Sequence, residues 1–231
     1  MTGTAIVTGA SRGFGRAIAE ALTAAGLTVV GLSRSSSRVL GEATDPELAE
    51  TLIKEHRPEV VVLNAGAVPA LAPIHELTWE EFGRNWQVDV KQAFVWAKAA
   101  LTVPLAAGSV IVAVSSGAAL RGSPVSGGYA GAKATVRFVN QYAAAESARL
   151  GLGLRFVTLF PQLTPATELG AAGVAAYAAR DGVDVATFVE RLQPVLTPEL
   201  VGRAVAGLVS SREAGGLTEY AIMGSGLERL G

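Results

Sequence analysis

Short runs of apolar, mostly β-branched residues alternate along the chain with longer amphipathic stretches that are rich in alanine. The apolar runs lie at residues 5–7, 29–30, 60–62, 110–112 and 156–158. Strands that are apolar at every position are typical of a parallel sheet with helices on both faces, because neither face of such a strand meets water. The alternation therefore predicts an α/β protein in which residues 1–231 form one domain around a single doubly wound parallel sheet.

Two stretches carry signals for the start or end of a helix. Phe14, Ile18 and Leu22 recur every four residues and form one apolar stripe, and Gly26 stands where that helix would be capped. Residues 78–81 (Thr-Trp-Glu-Glu) have the spacing of a capping box, so another helix is expected to begin there.

The composition excludes several classes of function. With 19 basic and 20 acidic residues the formal net charge is −1, which does not suggest a nucleic acid or an anionic membrane as partner. The chain has no cysteine and only two histidines, so cysteine chemistry is excluded and no metal is expected. No apolar run approaches the roughly 20 residues of a membrane helix, and no signal-peptide pattern is present. We therefore expect a cytoplasmic protein without a membrane segment.

A glycine-rich turn follows the first predicted strand and leads directly into the first predicted helix. Glycines let the backbone approach a ligand closely, and the start of a helix offers unpaired N–H groups, so the turn predicts a site for the diphosphate of a dinucleotide. The alternative is a tight turn that needs glycine only for its positive φ angles. The candidate binding residues here are Gly9, Ser11, Arg12, Gly13, Phe14 and Gly15.

The end of the second predicted strand bears on the choice of dinucleotide. It reads Ser33-Arg34, without the carboxylate that usually binds the adenosine ribose of NAD. Arg34, together with Arg12 in the glycine turn, would form charge-assisted hydrogen bonds to the 2′-phosphate of NADP. The sequence thus favours NADP(H) as the cofactor. The alternative is that both arginines are ordinary solvated side chains.

Four motifs, in the same order and spacing, resemble those of the short-chain dehydrogenase/reductase family over essentially the whole chain. They are the Thr-Gly-x-x-x-Gly-x-Gly turn at residues 8–15, an Asn-Ala-Gly, a serine of the fifth strand and a Tyr-x-x-x-Lys pair. The family's spacing of thirteen residues between serine and tyrosine selects Ser116 over Ser115. The matching residues after the turn are Asn64, Ala65, Gly66, Ser116, Tyr129 and Lys133.

The resemblance implies a Rossmann-fold oxidoreductase that transfers a hydride between NADP(H) and a carbonyl or alcohol substrate. Tyr129 and Lys133 are four residues apart, so they would share one face of a helix. A free tyrosine has a pKa of about 10, and a neighbouring ammonium lowers it, which would let Tyr129 act as acid or base. Ser116 would hydrogen-bond the substrate oxygen, and Lys133 would also hold the nicotinamide ribose.

The resemblance implies further cofactor contacts along the carboxyl ends of the strands. Outside the glycine turn they lie at Ser33, Arg34, Glu42, Ala43, Asn64, Ala65, Gly66, Tyr129, Lys133, Pro161, Leu163 and Thr164. Two departures affect this set, because Gln162 follows Pro161 where the family has glycine, and Glu42 stands where the family usually has aspartate. The segment between Arg34 and Asn64 is also shorter than in a typical member of the family, so we expect no full helix between the second and third strands. Residues 33–37 are expected to connect these two strands.

A third departure is Asp89, which stands where the family has a catalytic asparagine that helps to hold a water of a proton relay. Aspartate keeps the acceptor oxygens, loses the amide donor and adds a charge. Asp89 would therefore hold the relay water, or pair with Lys133 and weaken its effect on Tyr129, or face away from both.

Residues 164–196 follow the sixth predicted strand, where open α/β sheets present their ligands, and we expect a lid there. Its last part, residues 184–192, has helical spacing and is expected to form a helix. Tyr177 and Phe188 would face a medium-sized apolar carbonyl substrate, or else only pack the lid onto the body. His75 is a candidate for the substrate entrance and Arg121 for an acidic substrate, with a plain surface position as the alternative for each.

The resemblance also bears on assembly, because the helices that carry Asp89 and Tyr129 pair across a dimer axis in the family. We accordingly expect a homodimer or homotetramer. Two other functions remain open at this point. One is non-redox chemistry, as in an epimerase or dehydratase, and the other is a catalytically silent regulator that senses NADP.

Overall fold

An eight-stranded sheet with helices on both faces forms the centre of the protein, whose computed structural model describes residues 3–211 and 215–230. The strands are β1 (Thr4–Thr8), β2 (Thr28–Ser33), β3 (Val39–Leu40), β4 (Val60–Leu63), β5 (Val110–Val114), β6 (Arg155–Pro161), β7 (Gly216–Met223) and β8 (Gly226–Leu230). Their order in the sheet is β3-β2-β1-β4-β5-β6-β7-β8. All neighbours are parallel except β7 and β8, which are antiparallel.

The helices connect successive strands and cover the sheet. They are α1 (Gly13–Ala24), α2 (Pro46–His56), α3 (Trp79–Asn85), α4 (Lys91–Thr102), α5 (Ala118–Arg121), α6 (Gly127–Arg149), α7 (Glu168–Asp181), α8 (Val185–Glu190) and α9 (Pro198–Ser210). A 3₁₀ turn (Ile74–Glu76) precedes α3, and a π-helical turn (Trp86–Val90) joins α3 to α4. In the part of the chain that the structure describes, no helix is both long and apolar enough to cross a membrane.

Successive residues of the central strands enter opposite layers of the core. Ala5 and Val7 pack with apolar residues of α1 and α9 on one face. Ile6, which lies between them, packs with residues of α2, α4 and α6 on the other face. Because both faces are covered in this way, the central strands are apolar at every position, which confirms the predicted doubly wound arrangement.

The predicted helix signals are confirmed. Ile18 and Leu22 are fully buried on α1, and the N–H of Gly26, at φ 90°, bonds the Thr23 carbonyl oxygen just after this helix ends. The predicted capping box is present at the start of α3. There Thr78 Oγ1 accepts a hydrogen bond from the N–H of Glu81, and the Glu81 carboxylate accepts one from the N–H of Thr78.

The segment between β2 and β3 contains no helix, as its length predicts. Residues 34–38 form a tight connection, and β3 pairs with β2 through the partners Leu32–Val39 and Ser33–Leu40. β1 pairs with β2 on one side and with β4 on the other. From β1 the chain therefore builds the sheet in one direction through β2 and β3, and from β4 onward in the opposite direction. Open α/β sheets bind their ligands beyond the carboxyl ends of the strands at such a switch point.

Candidate active site

The glycine turn (residues 8–15) joins β1 to α1 at the switch point. Gly9 and Gly13 have φ angles of 67° and 54°, which favour glycine, and a Cβ on Gly15 would lie 2.1 Å from the Gly9 carbonyl oxygen. No side chain caps the start of α1, and no acidic residue lies in its first turn. The first N–H groups of α1 therefore remain available, and the turn fits the diphosphate of a dinucleotide.

A network of hydrogen bonds holds the glycine turn against the end of β4. Thr8 Oγ1 donates to Gln92 Oε1 at 2.6 Å and accepts from the backbone N–H groups of Asn64 and Ala65 at 2.9 and 3.2 Å. Asn64 Nδ2 in turn donates to the carbonyl oxygens of Thr8 and Gly9 at 3.2 and 3.3 Å. The Asn64 side chain is thus occupied in shaping the turn. Gln92, which the sequence motifs did not point to, completes the network.

The residues predicted to meet the adenosine lie beyond β2 and β3. Ser33 is buried and its Oγ accepts from the N–H of Ser36, whereas Arg34 and Glu42 are exposed. Ala43 is buried, and its carbonyl oxygen accepts a hydrogen bond of 2.9 Å from Nε1 of Trp96 on α4. Trp96 is itself fully buried, so its hydrogen bond anchors the backbone at Ala43 to α4.

Arg12 of the glycine turn contacts the segment predicted to form a lid (residues 164–196), which is called the lid below for that reason. Its guanidinium pairs with the carboxylate of Glu168, the first residue of α7, and the two side chains are 64% and 78% exposed. An ion pair this open to solvent contributes about 1 kcal/mol or less. Arg12 is therefore held only weakly by Glu168, and the pair joins the cofactor side of the site to the lid.

Tyr129 and Lys133 lie on α6 beside the end of β5. Lys133 Nζ is 5.7 Å from the centroid of the Tyr129 ring and donates a hydrogen bond of 3.1 Å to the Val114 carbonyl oxygen. Ser115 is buried, and its Oγ donates to the Lys133 carbonyl oxygen at 2.8 Å. Ser116 is half-buried, and its Oγ accepts from a backbone N–H of α5 at 3.2 Å. Of the two serines, Ser116 is thus the one with a hydroxyl proton available to a substrate.

Asp89 lies in the π-helical turn and is fully buried. Its Oδ1 accepts hydrogen bonds from the N–H of Ala67 at 2.8 Å and from Asn85 Nδ2 at 3.4 Å. Its Oδ2 lies 3.3 Å from Lys133 Nζ. Of the three arrangements that the sequence left open, the one in which Asp89 faces away from the lysine is therefore wrong.

The charge of Lys133 depends on this pair. Burial opposes the ammonium form, but the Asp89 carboxylate and the neighbouring Tyr129 outweigh burial, so the pKa of Lys133 lies above its ordinary value. The lysine is charged at neutral pH even though its side chain is only 7% exposed.

A cleft of about 420 Å³ opens beside the start of α6. Its walls come from the loop after β4, from α3, from the loop before α6 and from α7. The residues that line it are Ala72, Pro73, Ile74, His75, Leu77, Phe82, Ser123, Pro124, Gly127 and Arg180. A Cβ on Gly128 would lie 2.2 Å from the Phe82 carbonyl oxygen, so the backbone of α3 touches α6 one residue before Tyr129. The cleft has the size and the apolar walls of a small-molecule site.

The lid has a small apolar core of its own. Val174, Ala178 and Phe188 are buried together, and the Phe188 and Tyr177 rings stack with centroids 5.9 Å apart. Tyr177 Oη donates a hydrogen bond of 2.6 Å to Oγ of Ser123 on the wall of the cleft. Phe188 thus packs inside the lid, and Tyr177 joins the lid to the cleft. The predicted helix after Asp184 is present as α8.

The base of the lid follows directly from β6. The Pro161 carbonyl oxygen accepts from the N–H of Gly117, and Gln162 Nε2 donates to a lid carbonyl oxygen at 3.4 Å. Leu163 packs against the lid core, and the Thr164 hydroxyl bonds the Leu196 carbonyl oxygen. Gln162, where the family has glycine, therefore adds a bond between β6 and the lid. The cofactor contacts of Pro161, Leu163 and Thr164 stay a prediction.

The two other polar residues that the sequence singled out, His75 and Arg121, differ in their position relative to the cleft. His75 is an exposed residue of the cleft wall and lies 3.5 Å from Glu76, a contact between solvated side chains. Arg121 is exposed at the end of α5 and does not line the cleft. Arg180, which the sequence did not single out, lines the cleft and has no carboxylate partner among residues 3–211 and 215–230.

Comparison with known proteins agrees with this geometry. A family model described as enoyl-(acyl carrier protein) reductase matches residues 44–226, and one described as short chain dehydrogenase matches residues 3–50. The curated cis-4-hydroxycyclohexanecarboxylate dehydrogenase of Sinomonas cyclohexanicum is 31% identical, with 89% of this chain and 88% of the relative covered.

Solved structures share the whole fold. A short chain dehydrogenase from Burkholderia cenocepacia J2315, in complex with NADP, has a TM-score of 0.79 at 24% identity, with 97% of each chain covered. A protein assigned as an NAD(P)-dependent gluconate 5-dehydrogenase from Beutenbergia cavernae, with NADP bound at low occupancy, has a TM-score of 0.75 at 26% identity, with 96% of each chain covered.

The fold, the glycine turn and the matched relatives together define an oxidoreductase of the dinucleotide-binding class. Within that class, the chain belongs to the short-chain dehydrogenase/reductase family.

The two neighbouring serines give a matched pair of variants. Ser116→Ala should lower kcat/KM by about a hundredfold or more, because a hydrogen bond to the reacting oxygen is lost. Ser115→Ala should instead lower the free energy of unfolding by about 1 kcal/mol, measured by urea denaturation, because a buried hydrogen bond to α6 is lost. Equal losses of turnover in the two variants would contradict this division of roles.

Proposed function

We propose that the protein is an NADP(H)-dependent carbonyl reductase, acting in reverse as an alcohol dehydrogenase, with Tyr129 as its acid and base. The observation that carries the proposal is that Tyr129 and Lys133 lie on one side of α6. The Lys133 ammonium donates a hydrogen bond to the Val114 carbonyl oxygen at the end of β5. Ser116 follows that strand end directly. The phenol and the ammonium thus lie at the carboxyl end of β5, the strand that Ser116 follows, on the same edge of the sheet as the glycine turn.

Each of the three side chains would have its own role in the reduction of the carbonyl group. Tyr129 Oη donates its proton to this oxygen as negative charge develops there. Ser116 Oγ donates a hydrogen bond to the same oxygen and holds it beside the phenol. The Lys133 ammonium stabilises the phenolate that remains. When bound, the nicotinamide supplies the hydride or accepts it. In alcohol oxidation the same side chains act in reverse, and the phenolate removes the proton.

NADP(H) is favoured over NAD(H) by the charges around the end of β2. The exposed Arg34 follows this strand directly, and no carboxylate ends the strand to bind free ribose hydroxyls. Among the described residues the ion-pair partner of Arg12 is the exposed Glu168, so a 2′-phosphate would compete well for its guanidinium. The two similar solved structures that contain NADP support the same choice.

NADPH should therefore bind about ten- to a hundredfold more tightly than NADH, since charged hydrogen bonds contribute about 1.5–3 kcal/mol. Arg34→Asp should abolish the preference. Glu168→Gln should strengthen NADPH binding a few-fold and leave NADH binding unchanged, because it frees Arg12. Isothermal titration calorimetry measures the dissociation constants of both cofactors for the unmodified protein, Arg34→Asp and Glu168→Gln. Arg229→Asp on β8, at the far edge of the sheet, is the control. Equal dissociation constants of the unmodified protein for both cofactors would show that neither arginine binds the phosphate.

The cleft supports an apolar carbonyl compound as the substrate. Most of its lining is aliphatic or aromatic, with Ile74, Leu77 and Phe82 on one side. Arg180 is the guanidinium at this cleft and has no ion-pair partner among the described residues, so it suits an acidic substituent at the far end of the substrate. A ring that carries both a hydroxyl and a carboxylate is also what the name of the Sinomonas relative describes.

Steady-state oxidation of NADPH tests the reaction and the substrate class together. A panel of cyclohexanone, 4-oxocyclohexanecarboxylate and a keto-pentose should give the highest kcat/KM with the ring ketones. Tyr129→Phe should abolish turnover while NADPH still binds, whereas Tyr220→Phe on β7, which packs in the core with α1 and α9, should turn over like the unmodified protein. Arg180→Gln should raise KM for the keto acid alone. The absence of NADPH consumption with every carbonyl compound would contradict the proposed reaction, and a preference for the keto-pentose would contradict the substrate class.

The protein is proposed to act as a homodimer or homotetramer, because aromatic side chains are exposed along the helices that carry Asp89 and Tyr129. These side chains are Trp86, Phe94, Phe138 and Tyr142, with exposures of 42%, 58%, 61% and 67%. Light scattering coupled to gel filtration at micromolar concentration should give two or four times the mass of one chain. Phe138→Glu should reduce that mass, because a buried charge at the interface is costly. A monomeric mass for the unmodified protein would refute the assembly.

A further inference from the structure

The two oxygens of the Asp89 carboxylate have different partners. Oδ1 accepts from the N–H of Ala67 and from Asn85 Nδ2, as described above. Oδ2 receives no hydrogen bond of normal geometry from any described group and faces Lys133 Nζ at 3.3 Å. The carboxylate and the ammonium are both buried, with side-chain exposures of 1% and 7%. Water therefore screens this ion pair only slightly.

The ammonium of Lys133 lies between a carboxylate and a phenol. Lys133 Nζ is 5.7 Å from the centroid of the Tyr129 ring and much closer to Asp89. A lone ammonium at such a distance stabilises the phenolate. The ion pair of Lys133 and Asp89 has a net charge close to zero, so the pair stabilises the phenolate less than the ammonium alone would.

We infer that Asp89 is a positioning residue that offsets the charge of Lys133, so that Tyr129 keeps its proton to a higher pH than Lys133 alone would allow. The inference rests on the proposed role of Tyr129 and deepens it. Compared with an unpaired Lys133, the ion pair favours the phenol, which donates a proton in carbonyl reduction, over the phenolate, which alcohol oxidation requires.

The other groups around this pair leave its charge balance unchanged. The side chains that contact the pair's residues from the end of β5 and from α3 are neutral, namely Ser115, which bonds the Lys133 carbonyl oxygen, and Asn85, which bonds Asp89. On the cleft walls, His75 and Arg180 are exposed to solvent, so their effect on Tyr129 is screened. Asp89, among the described residues, is the carboxylate that acts on Lys133.

The test follows the titration of Tyr129 in the free protein, which needs neither cofactor nor substrate. Nuclear magnetic resonance of protein labelled at the phenolic carbon of tyrosine resolves the four tyrosines, and Tyr129→Phe identifies the resonance. In Asp89→Asn the midpoint of this titration should fall by about one to two pH units, since a neighbouring charge shifts a pKa by that amount. Asp89→Ser, which keeps an oxygen for the Ala67 N–H, should lower it as well and serves if the amide variant misfolds.

Two comparisons separate the charge effect from a change in packing. Glu55→Gln removes an exposed carboxylate on α2 and should leave the titration where it was. In a Lys133→Met background the buried carboxylate loses its partner and is expected to take up a proton, so Asp89→Asn should no longer lower the midpoint. An unchanged or raised midpoint in both neutral variants overturns the inference.

The pH profile of alcohol oxidation gives a second readout, because the acidic limb of kcat/KM should move down with the phenol in Asp89→Asn. A profile that stays in place while the phenol shifts would mean that Tyr129 is not the base, which contradicts the proposed function. The titration of the free protein would still decide the effect of Asp89 on Tyr129, so the two failures are distinguishable.

Discussion

The buried ammonium of Lys133 is the group on which the arrangement of the site depends. A charge can be buried only where hydrogen-bond acceptors and an opposite charge surround it. Here the Val114 carbonyl oxygen at the end of β5 supplies the acceptor, and Asp89 in the π-helical turn supplies the charge. The strand end, the π turn and α6 therefore have to meet at one point. Tyr129, one helical turn before Lys133, is held at the end of β5 as a result, the strand end that Ser115 and Ser116 follow.

The elements and the residue types of the site could be predicted from the sequence, because they depend on neighbours along the chain. Apolar runs mark the strands, the glycine turn marks the start of α1, and Thr78 and Glu81 close a capping box within one helical turn. The choice of Ser116 over Ser115 followed from spacing alone, and it agrees with the bond that Ser115 makes to α6. Local patterns were sufficient for the elements, whereas the choice of Ser116 needed the spacing that the family resemblance supplied.

Contacts between distant segments could not be predicted in the same way. Trp96 bonds the carbonyl oxygen of Ala43 across 53 positions, and Arg12 pairs with Glu168 across 156 positions. No local pattern holds such partners, because they follow from how the helices and the lid pack. The same reason applies to Phe188, since its helical spacing predicted α8 but not whether the ring would face the substrate or the core of the lid.

The close approach at Gly128 has a mechanical consequence. The backbone of Phe82 rests on this glycine, and the Phe82 ring forms part of the cleft wall. Close-packed backbone has little free space, so a displacement on one side of such a contact is transmitted to the other side instead of being absorbed. A molecule that enters the cleft and presses on Phe82 therefore also pushes on the first turn of α6. The wall of the cleft and the helical turn that carries Tyr129 thus share one rigid contact.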